Sequence, residues 1–427
     1  MKGIFYLTFN GIVNNTNGIG TQAKLLLDGF DFFSDKFKKQ YGDISLNIIT
    51  PDYPKNYPGY SEEHRTFSTE KVKKAGGNIL FCKDSEKIQD FWTIDYWKKL
   101  EKEACEIIKR EMDKYEEVLI ICVDMPFLQM PILFKKMYGL NNIKWLLSLY
   151  SSSYIHDKDL MSNDRLAWEY VGISATRLNR NVYLAEVCDF MRDHLIEYYG
   201  APKDRFVPYE SSVFLQSRDF EKLAENEIDN TLIKYKIPTD KDIVFCFGRG
   251  VWIKGFDILL ESLRFTNKDF HLVLISVPPQ SEISEHKKYL EMLKKFNYSY
   301  TIISEFSREL PKALCQWRNT KVVVCPSRGE PFSNIPFETA LWAKDNGPIV
   351  LASNIDGFVE QIRNGFNGYL FEVENSSDLA KNIDAILSLK TTVLNKMREN
   401  AYNKVMKERD FFGNFNNTLN YFWAGKK

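Results

Sequence analysis

The sequence has no excess of charge of either sign, because Lys and Arg together number 57 and Asp and Glu together also number 57. A protein that binds a nucleic acid backbone through a charge excess is therefore not expected. No apolar run approaches the length of a membrane span. Residues 1–11 have neither the long apolar core nor the cleavage site of a secretory signal, so we expect a cytoplasmic protein.

Cysteine is scarce and irregularly spaced. Seven cysteines are scattered along the chain, and no two of them form a C-x-x-C pair. An odd number without a repeated spacing is not typical of a disulfide framework. We therefore expect buried, reduced thiols.

The pattern that is present is an alternation of apolar, β-branched runs with helical segments. With 427 residues, the chain is too long for one ordinary core, so two domains are expected. The alternation predicts parallel βαβ units whose ligand-facing residues follow the strands. A polar, charged junction places a first domain at residues 1–212 and a second at 213–409. The aromatic tail, 410–427, is expected to pack back on the first domain.

The most informative stretch is residues 321–343, KVVVCPSRGEPFSNIPFETALWA. An apolar strand is followed by Glu330 on a loop and by Glu338 about one turn into a helix. A carboxylate just past a strand can face the ligand-binding edge of an α/β sheet. One at a helix start can accept hydrogen bonds from a vicinal diol such as ribose, and the amides between them suit an anion. The alternative is that Glu338 only complements the helix dipole and Glu330 is a solvated turn residue.

A second pattern places two cations after a strand, in the segment GRGVWIKG. Arg249 and Lys254 lie five residues apart at a predicted helix start. Together they can hold a diphosphate, Arg as a planar fork and Lys as a point charge. Two unpaired cations at this place oppose the helix dipole unless an anion normally lies between them. The alternative is a pair of solvated turn residues.

The first half of the chain carries weaker signals. Gly18 and Gly20 form a glycine loop before a helix predicted from about Gln22, where amides can approach a phosphate, although such glycines are more often only a turn. Tyr150 and His156 follow a later strand, among serines and tyrosines that suit a hydroxyl-bearing acceptor. A lone histidine is more often structural than catalytic. Residues 30–41 mix phenylalanine with lysine, which favours a helix with buried rings and a solvated basic face over a membrane contact.

Four patterns occur in order within residues 243–373: GRGVWIKG, PSRGEPFSNIPFE, VLASNIDGFVE and RNGFNG. Together they resemble the GT4-type retaining glycosyltransferases of GT-B fold, within the glycosyl transferases group 1. The resemblance implies an α/β protein with two Rossmann-like, doubly wound parallel-sheet domains facing a central cleft. It also implies that the first domain takes the acceptor and the second binds a nucleotide sugar.

The resemblance implies roles for single residues as well. Arg249 and Lys254 would bind the diphosphate, and Glu338 would bind the ribose hydroxyls. Glu330 would hold the transferring sugar, together with backbone amides of the loop. The whole donor-binding set would be Gly18, Gly20, Arg249, Lys254, Phe306 (near the base), Glu330, Phe332, Ser333, Asn334, Ile335 and Glu338. The catalytic set would be Glu330, Arg249, Lys254, His156 and Tyr150.

Two positions depart from the family pattern. Tyr150 stands where the family often has a histidine, and whether His156, six residues further on, takes its place stays open. Ser333 stands where a glycine is commoner.

The implied activity is transfer of a hexosyl group from a nucleotide-diphosphate sugar, UDP-sugar above all, to an acceptor hydroxyl with retention. Neither a metal nor another cofactor is expected. The acceptor would be a glycan, a small molecule or a protein, and a peripheral contact with a membrane stays open. The alternatives are a sugar phosphorylase or epimerase on the same fold, or a catalytically silent subunit that binds a nucleotide sugar.

Overall fold

A computed structural model describes residues 1–14, 18–57, 59–83, 90–139, 143–156, 162–278, 283–295 and 298–424. The chain divides into two compact units, one of residues 1–215 with 409–427 and one of residues 216–408. Over the described residues, the first unit is built on a seven-stranded sheet and the second on a six-stranded sheet. The prediction of two Rossmann-like parallel-sheet domains is confirmed.

The first unit has the strand order β3-β2-β1-β4-β5-β6-β7, with every neighbouring pair parallel. Its strands are β1 (Lys2–Leu7), β2 (Ile44–Pro51), β3 (Ile79–Cys82), β4 (Glu117–Val123), β5 (Lys144–Ser148), β6 (Val182–Glu186) and β7 (Phe206–Pro208). Its helices are α1 (Gly18–Phe32), α2 (Ser34–Tyr41), α3 (Glu62–Lys74), α4 (Ile94–Glu111), α5 (Met130–Tyr138), α6 (Ser153–His156), α7 (Asn163–Leu178), α8 (Asp189–Tyr199) and α17 (Phe411–Trp423).

The second unit has the strand order β10-β9-β8-β11-β12-β13, again with parallel neighbours. Its strands are β8 (Ile243–Arg249), β9 (His271–Val277), β10 (Tyr300–Ile303), β11 (Thr320–Cys325), β12 (Ile349–Ser353) and β13 (Tyr369–Phe371). Its helices are α9 (Glu225–Lys234), α10 (Phe256–Ser262), α11 (Ile283–Lys295), α12 (Glu309–Gln316), α13 (Ile335–Trp342), α14 (Asp356–Gln361), α15 (Ser376–Leu387) and α16 (Thr391–Glu408).

The central strand β11 shows why the sequence reads as an uninterrupted apolar run. Val322 and Val324 belong to one hydrophobic cluster, and Val323 and Cys325 belong to another. The two clusters lie on opposite faces of the sheet, because successive side chains of a strand alternate. A parallel strand covered on both faces needs apolar residues at every position. This core fixes the loop that follows β11, where the predicted carboxylates lie.

The C-terminal helix α17 lies on α1 and α2 of the first unit. Phe415 meets Phe30 edge to face at 6.1 Å, and Phe412 stacks on Phe37 at 5.4 Å between ring centroids. The Tyr41 hydroxyl also hydrogen-bonds to side-chain oxygens of α17. Phe30 and Phe37 are buried while the lysines of α2 are exposed. The prediction of buried rings and a solvated basic face is confirmed for α2, but residues 30–41 belong to two helices and Phe32 is exposed.

Two further features of the sequence concern its cysteines and its lack of long apolar runs. All seven cysteines are buried and none forms a disulfide, which confirms the prediction of reduced thiols. In the described part of the chain, no helix combines the length and the apolarity that crossing a membrane requires.

Asp124 is a strained and buried acid at the carboxyl end of β4. Its backbone has φ 63° and ψ −172°, a conformation otherwise almost confined to glycine. One carboxylate oxygen accepts a hydrogen bond from the Tyr150 N–H (3.4 Å). Burial raises the pKa of Asp124 to about 6, although the Arg165 guanidinium opposes that rise. The ionised carboxylate therefore destabilises this unit at neutral pH.

We expect the substitution Asp124→Asn to stabilise the protein more at about pH 8 than at about pH 4.5. The pKa of Asp124 is raised from the ordinary 3.8 to about 6. The carboxylate therefore does not destabilise the protein below about pH 3.8. Its destabilising effect grows between about pH 3.8 and pH 6, and it is constant at higher pH. The gain is on the order of 3 kcal/mol at the higher pH and about 1 kcal/mol at the lower. Denaturant unfolding of both proteins at both pH values measures it.

The matched control is Asp240→Asn, because Asp240 is an exposed acid. It should change the free energy of unfolding equally little at both pH values. An Asp124→Asn gain that does not depend on pH would contradict the assignment of a raised pKa to this carboxyl.

Candidate active site

An exposed cation stands at the carboxyl end of β8. Arg249 is the last residue of that strand. Within the described residues, its guanidinium takes part in no ion pair or hydrogen bond. The following backbone is fixed, because the Gly250 N–H donates to the Val277 carbonyl oxygen (2.8 Å). A planar cation on a fixed backbone, at the edge where such sheets bind ligands, is suited to a phosphate.

The second predicted cation, Lys254, is already paired. It ends a short 3-10 turn, Trp252–Lys254, and its ammonium donates directly to Glu330 Oε2. The two side chains are only 19% and 12% exposed. The sequence predicted two unpaired cations, and that prediction is wrong for Lys254. The reason is tertiary, because the loop after β11 carries Glu330 back to the turn after β8.

The turn after β8 and the loop after β11 are held together by backbone and side-chain contacts. The Arg328 N–H donates to the Ile253 carbonyl oxygen (2.7 Å), and its guanidinium makes two hydrogen bonds to Asp257 (2.8 and 2.7 Å). Gly255 has φ +63°, and a Cβ there would collide with the Pro326 carbonyl oxygen. A glycine is therefore required for this close approach. The two loops form one preorganised surface.

The Asp-Gly turn after β12 holds the loop that carries Glu330. The Glu330 N–H donates to Asp356 Oδ2 (2.9 Å), and the Gly357 N–H donates to the Glu330 carbonyl oxygen (3.1 Å). A Cβ on Gly357 would collide with the Pro331 carbonyl oxygen, so this approach also needs glycine. Phe332 follows and is half-buried. The Glu330 backbone is therefore fixed from two directions.

A buried amide holds the rest of this loop. Gln361 accepts from the Ser333 N–H (3.3 Å) and donates to the Ser333 carbonyl oxygen (2.7 Å), and Asn367 in turn donates to the Gln361 carbonyl oxygen (3.0 Å). The sequence predicted that the Ser333 amide would face the ligand. The structure corrects this prediction, because the Ser333 N–H already donates its hydrogen bond to the Gln361 side chain. Asn334 and Ile335 follow at the start of α13, where both are half-buried.

The second acid, Glu338, has a cationic partner that sequence reasoning missed. It is 7% exposed, and Glu338 Oε1 accepts from the Arg308 guanidinium at 3.0 Å. Burial raises the pKa of Glu338, and the neighbouring Arg308 charge opposes that rise. Arg308 also pairs with Asp219 (3.3 Å) and lies over the Trp342 ring, 5.5 Å from its centroid. The reading of Glu338 as a mere helix-dipole acid therefore omits its main interaction.

Arg308 belongs to the loop after β10, which also carries Phe306. The Phe306 side chain is 55% exposed, although the loop ends are held. One end is fixed because Ser307 Oγ accepts from the Leu310 N–H (3.1 Å) at the start of α12. No motif marks Arg308 in the sequence. The available signal is only that a buried acid such as Glu338 needs a cation, and sequence does not say which one.

Gly18 and Gly20 lie inside α1, not in a loop before it. The helix begins at Gly18, whereas the sequence predicted a start at about Gln22. Gly11, after β1, packs closely here, because a Cβ on it would lie 2.6 Å from the Gly20 carbonyl oxygen. Close packing on the first turn of α1 therefore requires glycine at position 11. Residues 15–17 of the predicted loop lie outside the described residues.

Tyr150 and His156 lie beyond β5 in the first unit, and both are half-buried. Burial raises the pKa of the Tyr150 hydroxyl to about 12, so the phenol is protonated at neutral pH. His156 is the last residue of the short helix α6.

Two of the three serines between Tyr150 and His156, Ser152 and Ser153, serve the fold. Glu169 Oε1 accepts from both the N–H and the hydroxyl of Ser153 (3.0 Å each), and Glu169 also accepts from the Tyr199 hydroxyl. Ser152 Oγ hydrogen-bonds to His194 Nε2 at 2.8 Å. The sequence predicted that the serines here would suit an acceptor, and the buried hydrogen bonds of Ser152 and Ser153 correct that prediction for these two residues.

The chemistry of the second unit is that of an anion and polyhydroxyl site. It presents a free guanidinium, an ammonium–carboxylate pair and a second carboxylate at the carboxyl ends of its strands. In the portion of the chain that the structure describes, no three His, Cys, Asp or Glu side chains are grouped as metal ligands. The remaining predicted site residues, Gly18, Gly20, Tyr150 and His156, belong to the first unit.

Solved structures of similar shape cover nearly the whole chain. A glycosyltransferase from Rickettsia africae is 18% identical with a TM-score of 0.70, covering 100% of this chain and 99% of its own. The sucrose-phosphate synthase of Thermosynechococcus elongatus is 15% identical with a TM-score of 0.75, covering 100% of both chains. Anabaena HepE in complex with UDP and glucose is 14% identical with a TM-score of 0.69, covering 99% of both. These likenesses concern the fold, and they confirm the predicted GT-B architecture.

A curated relative and a family model also match parts of the chain. The capsular polysaccharide biosynthesis glycosyltransferase CapM of Staphylococcus aureus is 25% identical over 195 residues, which are 43% of this chain and 48% of CapM. The match thus spans about half the length of that curated relative. The sequence model of the family described as glycosyl transferases group 1 matches residues 227–404. Most of the second unit therefore matches the sequence model of the glycosyl transferases group 1 family.

Proposed function

We propose that this protein transfers a sugar from a nucleotide-diphosphate donor to an acceptor hydroxyl, with retention and without a metal, as a GT4-type enzyme. The observation that carries the proposal is the Lys254–Glu330 ion pair on the turn that follows β8, the strand that ends at the exposed Arg249. The similarity to CapM, named as a glycosyltransferase, supports it. So does the fold shared with HepE, which was crystallised with UDP and with UDP-glucose.

The diphosphate would bind to the turn after β8. Arg249 supplies a guanidinium that has no anionic partner in the described residues, and Lys254, five residues further along the chain, supplies a partly buried ammonium. When the bond to the sugar breaks, negative charge develops on the leaving diphosphate. Cations fixed before the reaction stabilise that charge without reorganisation, which is the main requirement of this chemistry.

Glu330 would hold the transferring sugar. Its backbone is fixed by Asp356 and Gly357, and its carboxylate is fixed by Lys254. A carboxylate held in this way can accept hydrogen bonds from sugar hydroxyls with little loss of entropy. Because Lys254 contacts Glu330 directly, its ammonium would link the group that holds the sugar to the groups that hold the diphosphate.

Glu338 would bind the ribose. Arg308 occupies Oε1, while Oε2 accepts no hydrogen bond from any residue that the structure describes. A vicinal diol can donate to that oxygen. Arg308 favours the ionised, acceptor form of the buried acid, against the effect of burial. Phe306, exposed on the neighbouring loop, would stack on the base.

The acceptor hydroxyl would attack the face from which the diphosphate departs, at an oxocarbenium-like carbon. Tyr150 and His156 are the proposed acceptor-side residues. The protonated Tyr150 phenol is a hydrogen-bond donor at neutral pH, because its pKa is about 12. His156 carries an imidazole, which can donate or accept a hydrogen bond.

The first experiment is a thermal-shift screen of the whole chain with UDP, GDP and ADP, each with and without common sugars. It is followed by an assay of donor hydrolysis and transfer. Stabilisation by a nucleotide together with turnover supports the proposal. Stabilisation without any turnover would indicate a silent binding subunit, and a requirement for inorganic phosphate would indicate a phosphorylase.

Replacing Arg249 by Ala should lower kcat by about 10²–10³-fold, because it removes a preorganised cation from the leaving group, a loss of about 3 kcal/mol. Steady-state turnover of the donor measures it. Arg264→Ala is the matched control, since Arg264 is an exposed arginine, 62% accessible, at the far end of α10. Turnover of Arg249→Ala at the wild-type rate would refute the diphosphate role.

Replacing Glu338 by Ala should raise the Kd for the nucleoside diphosphate by about 10–100-fold, the loss of a hydrogen bond to a charged group. The Kd for inorganic pyrophosphate, which has no ribose, should stay within about twofold. Isothermal titration calorimetry of both ligands on both proteins measures this difference. If the two Kd values changed together, Glu338 would be supporting the fold and not the ribose.

A further inference from the structure

One buried histidine ties together two loops of the proposed donor site. His286, on α11, is 6% exposed. Its Nδ1 hydrogen-bonds to Ser276 Oγ (3.1 Å) and its Nε2 to Ser304 Oγ (2.9 Å). Ser276 lies near the carboxyl end of β9, and Ser304 is the first residue after β10. A single ring therefore links the ligand-facing ends of two neighbouring strands.

On one side, the histidine holds the loop that exposes Phe306. Ser304 begins that loop, and its far end is fixed because Ser307 accepts from the Tyr235 hydroxyl (3.2 Å) and Arg308 binds Glu338. The loop is thus held at both ends while the Phe306 ring is 55% exposed. An aromatic ring kept in solvent on a fixed loop is suited to stacking on a flat ligand.

On the other side, the same helix supports the turn that carries Arg249. A Cβ on Gly250 would lie only 2.5 Å from Ser276 Oγ, the hydroxyl that His286 holds. One turn further along α11, the Tyr289 hydroxyl donates to the Val251 carbonyl oxygen (3.5 Å). Helix α11 therefore contacts the cationic turn and holds the Phe306 loop, while the turn itself is fixed by β9 and by the loop after β11.

A second histidine of the same unit provides an internal comparison. His271 is also buried, and its ring bridges Ser299 Oγ (2.7 Å) and Thr301 Oγ1 (2.9 Å). That bridge joins the amino ends of β9 and β10, whereas His286 joins their carboxyl ends. Both histidines satisfy two hydroxyls between the same two strands. Only His286 does so at the edge where parallel sheets bind ligands.

We propose that His286 is a positioning residue for the nucleobase: it fixes the Phe306 loop relative to the Arg249 turn, so that base and diphosphate bind together. This inference rests on the proposed function. On this inference, His286 strengthens binding of the nucleoside part of the donor and does not affect binding of its phosphates. The neutral imidazole, with one nitrogen donating and one accepting, is favoured because burial lowers the pKa of His286.

The test compares two ligands on matched variants. The ligands are inorganic pyrophosphate and whichever of UDP, GDP and ADP stabilises the wild-type chain most. His286→Ala should raise the Kd for the nucleotide at least about tenfold and leave the Kd for pyrophosphate within about twofold. His286→Gln, which can still bridge a donor and an acceptor, should restore part of the nucleotide affinity. Calorimetry gives both Kd values.

Two further variants keep the test decisive if His286→Ala folds poorly. Ser304→Ala removes only the bond to the Phe306 loop, and it should weaken the nucleotide and spare pyrophosphate. His271→Ala also removes two hydrogen bonds, so it should lower the melting temperature about as much as His286→Ala does. It should change neither the nucleotide Kd nor the pyrophosphate Kd.

Three outcomes overturn the inference. In the first, His286→Ala and Ser304→Ala weaken nucleotide and pyrophosphate equally, which marks a general loss of structure. In the second, His271→Ala weakens nucleotide binding and spares pyrophosphate just as His286→Ala does. The location of His286 at the carboxyl end of the strands would then have no bearing on nucleotide binding. In the third, the wild-type chain binds none of the three nucleotides, and this last result overturns the proposed function as well.

Discussion

The proposed donor site depends on one ion pair, between Lys254 and Glu330. The two residues are 76 positions apart in the sequence. Lys254 follows β8 and Glu330 follows β11, so the pair forms only when both strands lie in the folded sheet. Glycine at 255 and at 357 lets the connecting loops approach closely enough for the pair to form. A largely buried ion pair contributes little net stability, because desolvation offsets its attraction. Its value here is to fix where one positive and one negative charge stand.

Around that pair, further side chains hold parts of the proposed donor site in place. Arg308 holds Glu338, Gln361 fixes the backbone at Ser333, and His286 holds the loop of Phe306. Such support keeps a site within the narrow geometry that binding and transfer need. The supporting groups lie on α11, α14 and the loop after β10, while the groups they support follow the strands. The site is therefore a property of the whole sheet edge and not of one motif.

The sequence was sufficient to predict what local patterns determine. The uninterrupted run at β11 predicted a strand buried on both faces, and the glycine turns predicted where the chain leaves the sheet. Pairings across the fold could not be predicted in this way. Nothing near Lys254 indicates that Glu330 neutralises it, and nothing near Glu338 indicates Arg308. The same limit applies to Ser153, which looked available for an acceptor until the structure showed Glu169 bonded to it.

The aromatic helix α17 has a consequence for how the chain is made. It follows the whole second unit in sequence, yet its phenylalanines cover Phe30 and Phe37 of the first unit. A chain growing from the ribosome exposes α1 and α2 long before this cover exists. Residues 216–408 emerge complete while the earlier unit still lacks its last helix. The part that is synthesised first is thus the part whose folding finishes last.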